Sequence, residues 1–330
     1  MTGLWRNIRA VIAAIIVGVL FLHEGSSSAS AEDKWPSRPV TLIVPVGPGT
    51  ITDIIGRLLA DRLKDALGQP FVVENRPGAG ATIGARYVAR AAPDGYTLLA
   101  GGNTTHSSVP ALFKIPPYDP VTDFTPIARV GLLGQFFAAN PQQPFRTIQE
   151  MVAYAKANPG RLSFGHGNAS GQIVGETLKY RLGINLIRVP YASNPTALTD
   201  LLSNSIQLTS IDYAAGVPMA KAGRVIPLAV FTKSRYSRLP DVPTLDETVL
   251  PGFKVAPWVG LFGPPNLPEE IVARLSDTLG KFLSDPAFIA SLRQLGPEPY
   301  YLPAGPFTAF VKDDIKVWTE HAHIAGIEPQ

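Results

Sequence analysis

Val40-Thr41-Leu42-Ile43-Val44-Pro45-Val46-Gly47-Pro48-Gly49-Thr50-Ile51-Thr52-Asp53 passes from an apolar run, through a proline and glycine turn, into a second apolar pattern. The run predicts a buried strand over 40–46, since a strand covered on both faces lacks polar alternation. Beyond the turn, Ile54, Ile55, Leu58, Leu59, Leu63, Ala66 and Leu67 recur at helical spacing and predict a helix over 53–67, closed by Gly68. The order then repeats: strand 71–73, the turn Asn75-Arg76-Pro77-Gly78-Ala79-Gly80, helix 81–91, the turn Pro93-Asp94-Gly95 and strand 96–100. Strands and helices alternating through short turns are the sequence form of an α/β domain.

Further along, an extended stretch over 125–140 leads into a second series: helix 148–157, strand 162–164, a glycine-rich turn over 165–171, helix 172–182, strand 187–189, helix 195–202 and strand 207–211. Another extended stretch over 255–262 precedes proline-punctuated helices. Two similar halves are therefore expected, with the chain crossing into the second and returning. Domain 1 would comprise 32–133 and 257–330, and domain 2 would comprise 134–256. The expected fold class is α/β with two mainly parallel sheets, flanked by helices, and a ligand cleft between them.

Arg6 and Arg9 precede an apolar stretch over 11–22, and Ala29-Ser30-Ala31 follows it. This is the three-part pattern of a secretory signal peptide, expected over 1–31 with cleavage after Ala31. The stretch is short against the roughly 20 residues of a permanent span. An exported, periplasmic protein is the expectation. Of 330 residues, 45% are hydrophobic and 17% charged, enough for a large core and too apolar for a disordered chain. The absence of cysteine excludes disulfides, thiolate metal sites and cysteine nucleophiles. The 29 basic and 26 acidic residues are interspersed, which argues against a nucleic-acid partner needing a concentrated basic face.

Gly47 to Asp53 lies at the carboxyl end of a strand and opens a helix, where unpaired N–H groups and the helix dipole suit an anion. Gly47, Gly49, Thr50, Thr52 and Asp53 are candidates, with the Thr50 and Thr52 hydroxyls as added donors; the alternative is an ordinary turn with Thr52 or Asp53 as helix cap. Gly167, Asn168, Ala169, Ser170 and Gly171 have the same context in the second half. Facing one another, the two turns would clamp a carboxylate. Asp212, straight after an apolar strand, is either a helix cap or an acceptor for a ligand hydroxyl, amine or bridging water. Gly78-Ala79-Gly80-Ala81-Thr82-Ile83-Gly84 lacks dinucleotide-fingerprint spacing and reads as a structural turn. No G-x-S-x-G elbow occurs, so a hydrolase would need a loop histidine, His106 with Ser107 or His166 with Ser170. His321 and His323 lack the spacing of a zinc-binding helix face and read as a surface helix end. Neither a metal nor a cofactor is expected.

Several stretches carry a resemblance: Trp35-Pro36-Ser37-Arg38-Pro39-Val40, Glu74-Asn75-Arg76-Pro77-Gly78-Ala79-Gly80, Ala92-Pro93-Asp94-Gly95-Tyr96-Thr97-Leu98, Pro117-Tyr118-Asp119-Pro120, Asp123-Phe124-Thr125-Pro126, Val189-Pro190-Tyr191, Ala197-Leu198-Thr199-Asp200-Leu201-Leu202 and Gly260-Leu261-Phe262. With these the chain resembles the extracytoplasmic receptors of tripartite tricarboxylate transporters, also called Bug-type solute-binding proteins. The resemblance implies a type II periplasmic binding protein fold that closes on a small carboxylate without chemistry. It also implies delivery of that ligand to the transporter's membrane subunits. By the same resemblance, contacts are expected from Gly47 to Asp53, from Asn103, Thr104 and Thr105, from Gly167 to Gly171, and from Asp212. Tyr191, with Phe136, Tyr213 and Trp258, is a candidate for selecting ligand shape. Three places depart from the family pattern: Pro48-Gly49-Thr50, Gly134-Gln135, and Tyr191-Ala192-Ser193, which lacks the usual lysine. A monomer is expected. A secreted hydrolase and a sensory ligand-presenting protein are the rival readings.

Overall fold

Thr50 is the N-cap of the first helix, its hydroxyl oxygen accepting from the Asp53 N–H, and Gly68 closes that helix at φ 77°, a left-handed position that glycine reaches without Cβ strain. These two local devices explain why the helix, α1, occupies Ile51–Leu67 and starts two residues earlier than its apolar pattern suggests. A computed structural model describes residues 35–232, 234–236, 238–253 and 255–330. The signal peptide expected over 1–31 lies outside the described residues. Residues 38–330 form the unit described below.

The first sheet contains β1 (Val40–Val44), β2 (Phe71–Asn75), β3 (Thr97–Gly102), β4 (Thr125–Leu132), β10 (Trp258–Gly263) and β11 (Glu298–Pro303), in the order β11-β4-β10-β3-β1-β2. The second contains β5 (Gln135–Ala139), β6 (Leu162–His166), β7 (Leu186–Pro190), β8 (Leu208–Asp212) and β9 (Ile226–Val230), in the order β7-β6-β8-β5-β9. After α1 the helices are α2 (Thr82–Ala89), α3 (Val109–Leu112), α4 (Ile148–Ala157), α5 (Ala169–Leu182), α6 (Asn194–Leu202), α7 (Tyr213–Lys221), α8 (Glu269–Phe282), α9 (Pro286–Leu295) and α10 (Ala304–Ile324). Within each sheet the strands of the βα series run second, first, third, followed by a strand arriving from the other sheet. The chain therefore has the α/β architecture of two sheets flanked by helices.

The sheets are mixed, not mainly parallel. β1 pairs parallel with β2 and β3, and β6 with β7 and β8. In contrast β10 is antiparallel to β3 and β4, β11 to β4, and β5 to β8 and β9. Strands returning through a helix come back parallel, whereas β5 and β10 arrive directly from the opposite sheet with no helical crossover. The chain leaves the first sheet after Leu132, enters the second at Gln135, and returns at Trp258. At this crossing the Leu133 N–H donates to the Pro257 carbonyl at 2.7 Å, joining the outgoing and incoming segments.

α10 serves both halves. Phe307 and Val311 pack with Trp258 and Phe262 on the first sheet, while Trp318 and Ala322 join Phe164, Ile173 and Leu178 under the second. His321 is buried and meets the Phe253 ring edge-on at 5.2 Å, so only His323 matches the expected surface helix end. Among the described residues no helix is long and apolar enough to cross a membrane, and no group of three or more His, Asp or Glu side chains is placed to hold a metal.

Candidate functional site: a cleft between the two sheets

The carboxyl ends of β1, β3, β6 and β8 open into one cavity of about 1120 Å³. Parallel strands followed by helices put helix N-termini and their connecting loops at that edge, which is why ligands collect there in α/β proteins. The structure brings Thr50, Thr52, Asn103, Thr104, Thr105, Gly167, Asn168, Ala169, Tyr191 and Asp212 to its walls. Gly47, Gly49, Asp53, Ser170 and Gly171 are not among the lining residues.

Hydrogen bonding separates supports from open groups. The Thr50 hydroxyl donates to the Gly47 carbonyl at 2.9 Å, so it braces the loop and its donor is engaged. Thr105 Oγ1 is held by Gly102 and by His106 Nδ1. Tyr191 donates to Asp200 at 2.6 Å, and burial with the Asp200 contact raises its hydroxyl to about 12, leaving its ring as the cavity-facing part. Asn103 reaches across the cleft: its Nδ2 donates to Ser170 Oγ at 3.2 Å and its Oδ1 accepts from the Trp258 N–H at 3.3 Å. Helix geometry leaves the first N–H groups of α1, Ile51 and Thr52, and of α5, Ala169 and Ser170, without intrahelical acceptors. Thr50 and Asn168 cap the next donors by accepting from Asp53 and Gly171. Thus Thr50, not Thr52 or Asp53, is the cap of α1.

Asp212 precedes α7 but makes no cap bond. Its carboxylate accepts from Gln135 Nε2 at 2.7 Å and from Asn194 Nδ2 at 3.4 Å, and burial pushes it above the usual carboxylate range. Asn194 Oδ1 in turn accepts from the Gly167 N–H at 3.0 Å. This network ties three loops of the second half together. Gln135 and Asn194, both cavity-lining, were not anticipated as site residues. Their amide side chains carry no periodic signal, and only strand pairing brings Gln135 beside Asp212. Buried polar atoms without a partner, Gln135 Oε1 and His166 Nε2, also belong to cavity-lining residues. Burial, followed by the Arg188 charge, lowers His166 to about 4, so its ring is neutral at physiological pH.

The loop from Pro77 to Ala81 lines the cavity too, a role beyond the expected structural turn. Of the aromatic candidates Trp258 and Tyr191 line the cavity, while Phe136 and Tyr213 are buried and stacked on one another at 6.2 Å in the core.

A family model described as the tripartite tricarboxylate transporter family receptor matches residues 55–325. The chain belongs to this receptor family. It is 34% identical over 312 residues to a UPF0065 protein in the gbd 5' region of Cupriavidus necator, covering 93% of this chain and 93% of that one. Among solved structures, R. palustris Rpa4515 with adipate matches at TM-score 0.86 and 34% identity, covering 90% of this chain and all of that one. MatC from Rhodopseudomonas palustris with bound malate matches at TM-score 0.80 and 32% identity, covering 87% and 100%. The chain is accordingly a solute-binding receptor and not an enzyme.

In this receptor the rival serine and histidine pairings are dissolved by packing. Ser107 donates to Asp314 at 2.6 Å, not to His106. His106 is stacked on Phe262 at 3.8 Å, and burial drives it down to about 3. Ser170 accepts from Asn103, and no hydrogen bond joins it to His166 among the described residues.

Asp53 supports the receptor loop from behind. It accepts from the Gly49 N–H at 3.0 Å, from Asn75 Nδ2 at 2.8 Å and from Arg57. Burial pushes its carboxyl up, but those hydrogen bonds and the Arg57 charge outweigh it, and it ends below the usual carboxylate value. Asp53→Ala should cost about 1–3 kcal/mol by stranding the Gly49 and Asn75 donors. A lowered folded value means that the stabilisation is present above the unfolded value of about 3.9 and is lost as pH falls through the folded value. The wild-type advantage in urea melts should therefore be full at neutral pH and shrink below about pH 4. A variant as stable as wild type at pH 7 would remove this role.

Proposed function

We propose that this receptor is exported to the periplasm by a cleaved signal over 1–31, captures a small organic acid, and delivers it to the membrane subunits of a tripartite tricarboxylate-type transporter. The observation that carries this reading is the convergence of two helix N-termini, α1 and α5, on one cavity. Their open N–H groups and aligned dipoles favour a carboxylate. Thr52 and Thr104 hydroxyls, Asn168 and Asp212 add direction, while the Tyr191 ring shapes the wall. The solved relatives with adipate and malate support a carboxylate ligand. In this reading residues 32–133 with 257–330 form one domain and 134–256 the other, each supplying half of the clamp, and the receptor acts as a monomer that closes around its ligand.

A thermal-shift screen of short carboxylic acids against their amides tests the reading. An acid at about 100 times its dissociation constant should stabilise the fold by about 2.7 kcal/mol. The matched amide should leave the melting temperature near that of the unliganded protein. Amides performing as well as acids would refute the carboxylate clamp.

A further inference from the structure

Beyond α10 the chain becomes part of the cavity wall. Gly326, Ile327, Glu328, Pro329 and Gln330 all line the cavity. They lie past residue 325, where the family match ends. At the near end α10 closes in a Schellman arrangement, with Gly326 at φ 63°. The Gly326 N–H donates to the His323 carbonyl at 3.0 Å and the Ile327 N–H to the Ala322 carbonyl at 2.9 Å, while Ile327 packs against the core under the second sheet. A Cβ on Gly326 would come within 3.1 Å of the Tyr180 ring, so this end sits beside the last turn of α5, about 16 Å along that helix from its start. At the far end the Gln330 N–H donates to the Leu112 carbonyl at 3.0 Å, and the Gln330 carbonyl accepts from the Lys114 N–H at 2.9 Å. Gln330 thus clasps the segment after α3, whose Leu112 and Phe113 line the cavity too. Residues 326–330 form a strap along the wall, from the last turn of α5 to that segment.

The two ends of the strap are held unequally. Ile327 is seated by a helix-closing bond and by the core, and it is half-buried. The clasp consists of two main-chain hydrogen bonds between exposed positions, Lys114 and Gln330, and half-buried Leu112. Between anchor and clasp, Glu328 and Pro329 are exposed and make no hydrogen bond among the described residues. Exposed main-chain bonds exchange readily for bonds to water, and a segment with few buried contacts opens at far lower cost than the fold as a whole. The weakest part of the wall is therefore the stretch from Glu328 to the clasp.

We propose that residues 328–330 are a gate in the cavity wall: the clasp to Leu112 and Lys114 releases while Ile327 stays seated, and this opening sets how fast a small solute enters or leaves. The gate acts on whatever the cavity holds, so it goes beyond the carboxylate reading and does not depend on it.

The chain has no cysteine, so one introduced thiol reports alone. Gln172→Cys places it on the cavity wall, and Thr177→Cys places it on the same helix but buried in the core. Iodoacetate, itself a small acid, is the probe, and intact mass follows its reaction. Lys114→Pro and Gln330→Pro each delete one donor of the clasp. Phe113 is already extended, at φ −114° and ψ 124°, as a residue before proline has to be. Either change should speed labelling of Gln172→Cys about three- to tenfold, the shift in open population expected from losing one main-chain hydrogen bond. Lys114→Ala and Gln330→Ala keep the N–H and should label at the parent rate, and Thr177→Cys should stay unreactive in every background. An unchanged rate in either folded proline variant would overturn the gate. So would equal acceleration at Thr177→Cys, which would show a loosened fold and not an opened wall. Both of those results leave the carboxylate clamp standing, because the melts with acids and amides test it separately.

Discussion

Gly167→Ala should bind the acid found in the screen about a hundredfold more weakly than wild type, a loss of about 2.8 kcal/mol. A Cβ at Gly167 would overlap the Ser193 carbonyl carbon and the Asn194 backbone nitrogen. Both obstacles are main chain, so no rotamer change relieves them, and one of the two loops must move. Movement there breaks the bond from the Gly167 N–H to Asn194 Oδ1 and loosens the amide that holds Asp212. It also shifts the start of α5, whose N–H groups form half of the proposed clamp. Overpacking of this kind costs about 1–3 kcal/mol of stability as well. Gly305→Ala is the control, since nothing lies within 4 Å of a Cβ built there, and it should be silent in both measurements. Wild-type affinity and melting temperature in Gly167→Ala would show that the two loops do not approach as described.

Asp212→Asn should separate stability from binding. Burial raises the Asp212 carboxyl, so the charged form is disfavoured in the folded protein. A raised folded value stabilises the fold fully below the unfolded value of about 3.9, and that contribution is lost as pH rises through the folded value. Asparagine has no such dependence and escapes the cost of a buried charge at neutral pH. Its own amide also finds an acceptor, because Gln135 Oε1 is buried without a partner and a flip of the Gln135 amide presents it. The variant should melt about 2–4 °C higher at pH 7, corresponding to about 1 kcal/mol, with the advantage vanishing in acid. Affinity should nevertheless fall about tenfold or more, because the acceptor proposed to hold a ligand hydroxyl, amine or bridging water is gone. An unchanged affinity together with a lower melting temperature at pH 7 would assign Asp212 to the fold alone.

Much of the fold was legible because its signals are local. The apolar run at Val40, the αL glycine at Gly68 and the helical spacing of Ile148–Ala157 each depend on neighbours within a few positions, and the structure has the corresponding elements. The two strand-to-helix turns were legible for the same reason, and both reach the cavity. Strand β11 was not, since two prolines and an irregular register with β4 hide its pattern. Ala79 and Ala81 sit at φ 45° and 72°, left-handed values that the sequence does not announce at alanine.

Taken by itself, then, the sequence determined the α/β class, the alternation of strands and helices, and the places where helix N-termini emerge. Those follow from side-chain periodicity and capping, which act over a few residues. Tertiary structure alone decided that the sheets are mixed and that Asp53 stands behind its loop, joined to Asn75. It also decided the partners of Asp212 and Asp314, because Gln135 meets Asp212 across 77 positions and Ser107 meets Asp314 across 207. Contacts that distant exist only once the chain has crossed between the sheets and returned, and no local pattern encodes which strand it will lie beside.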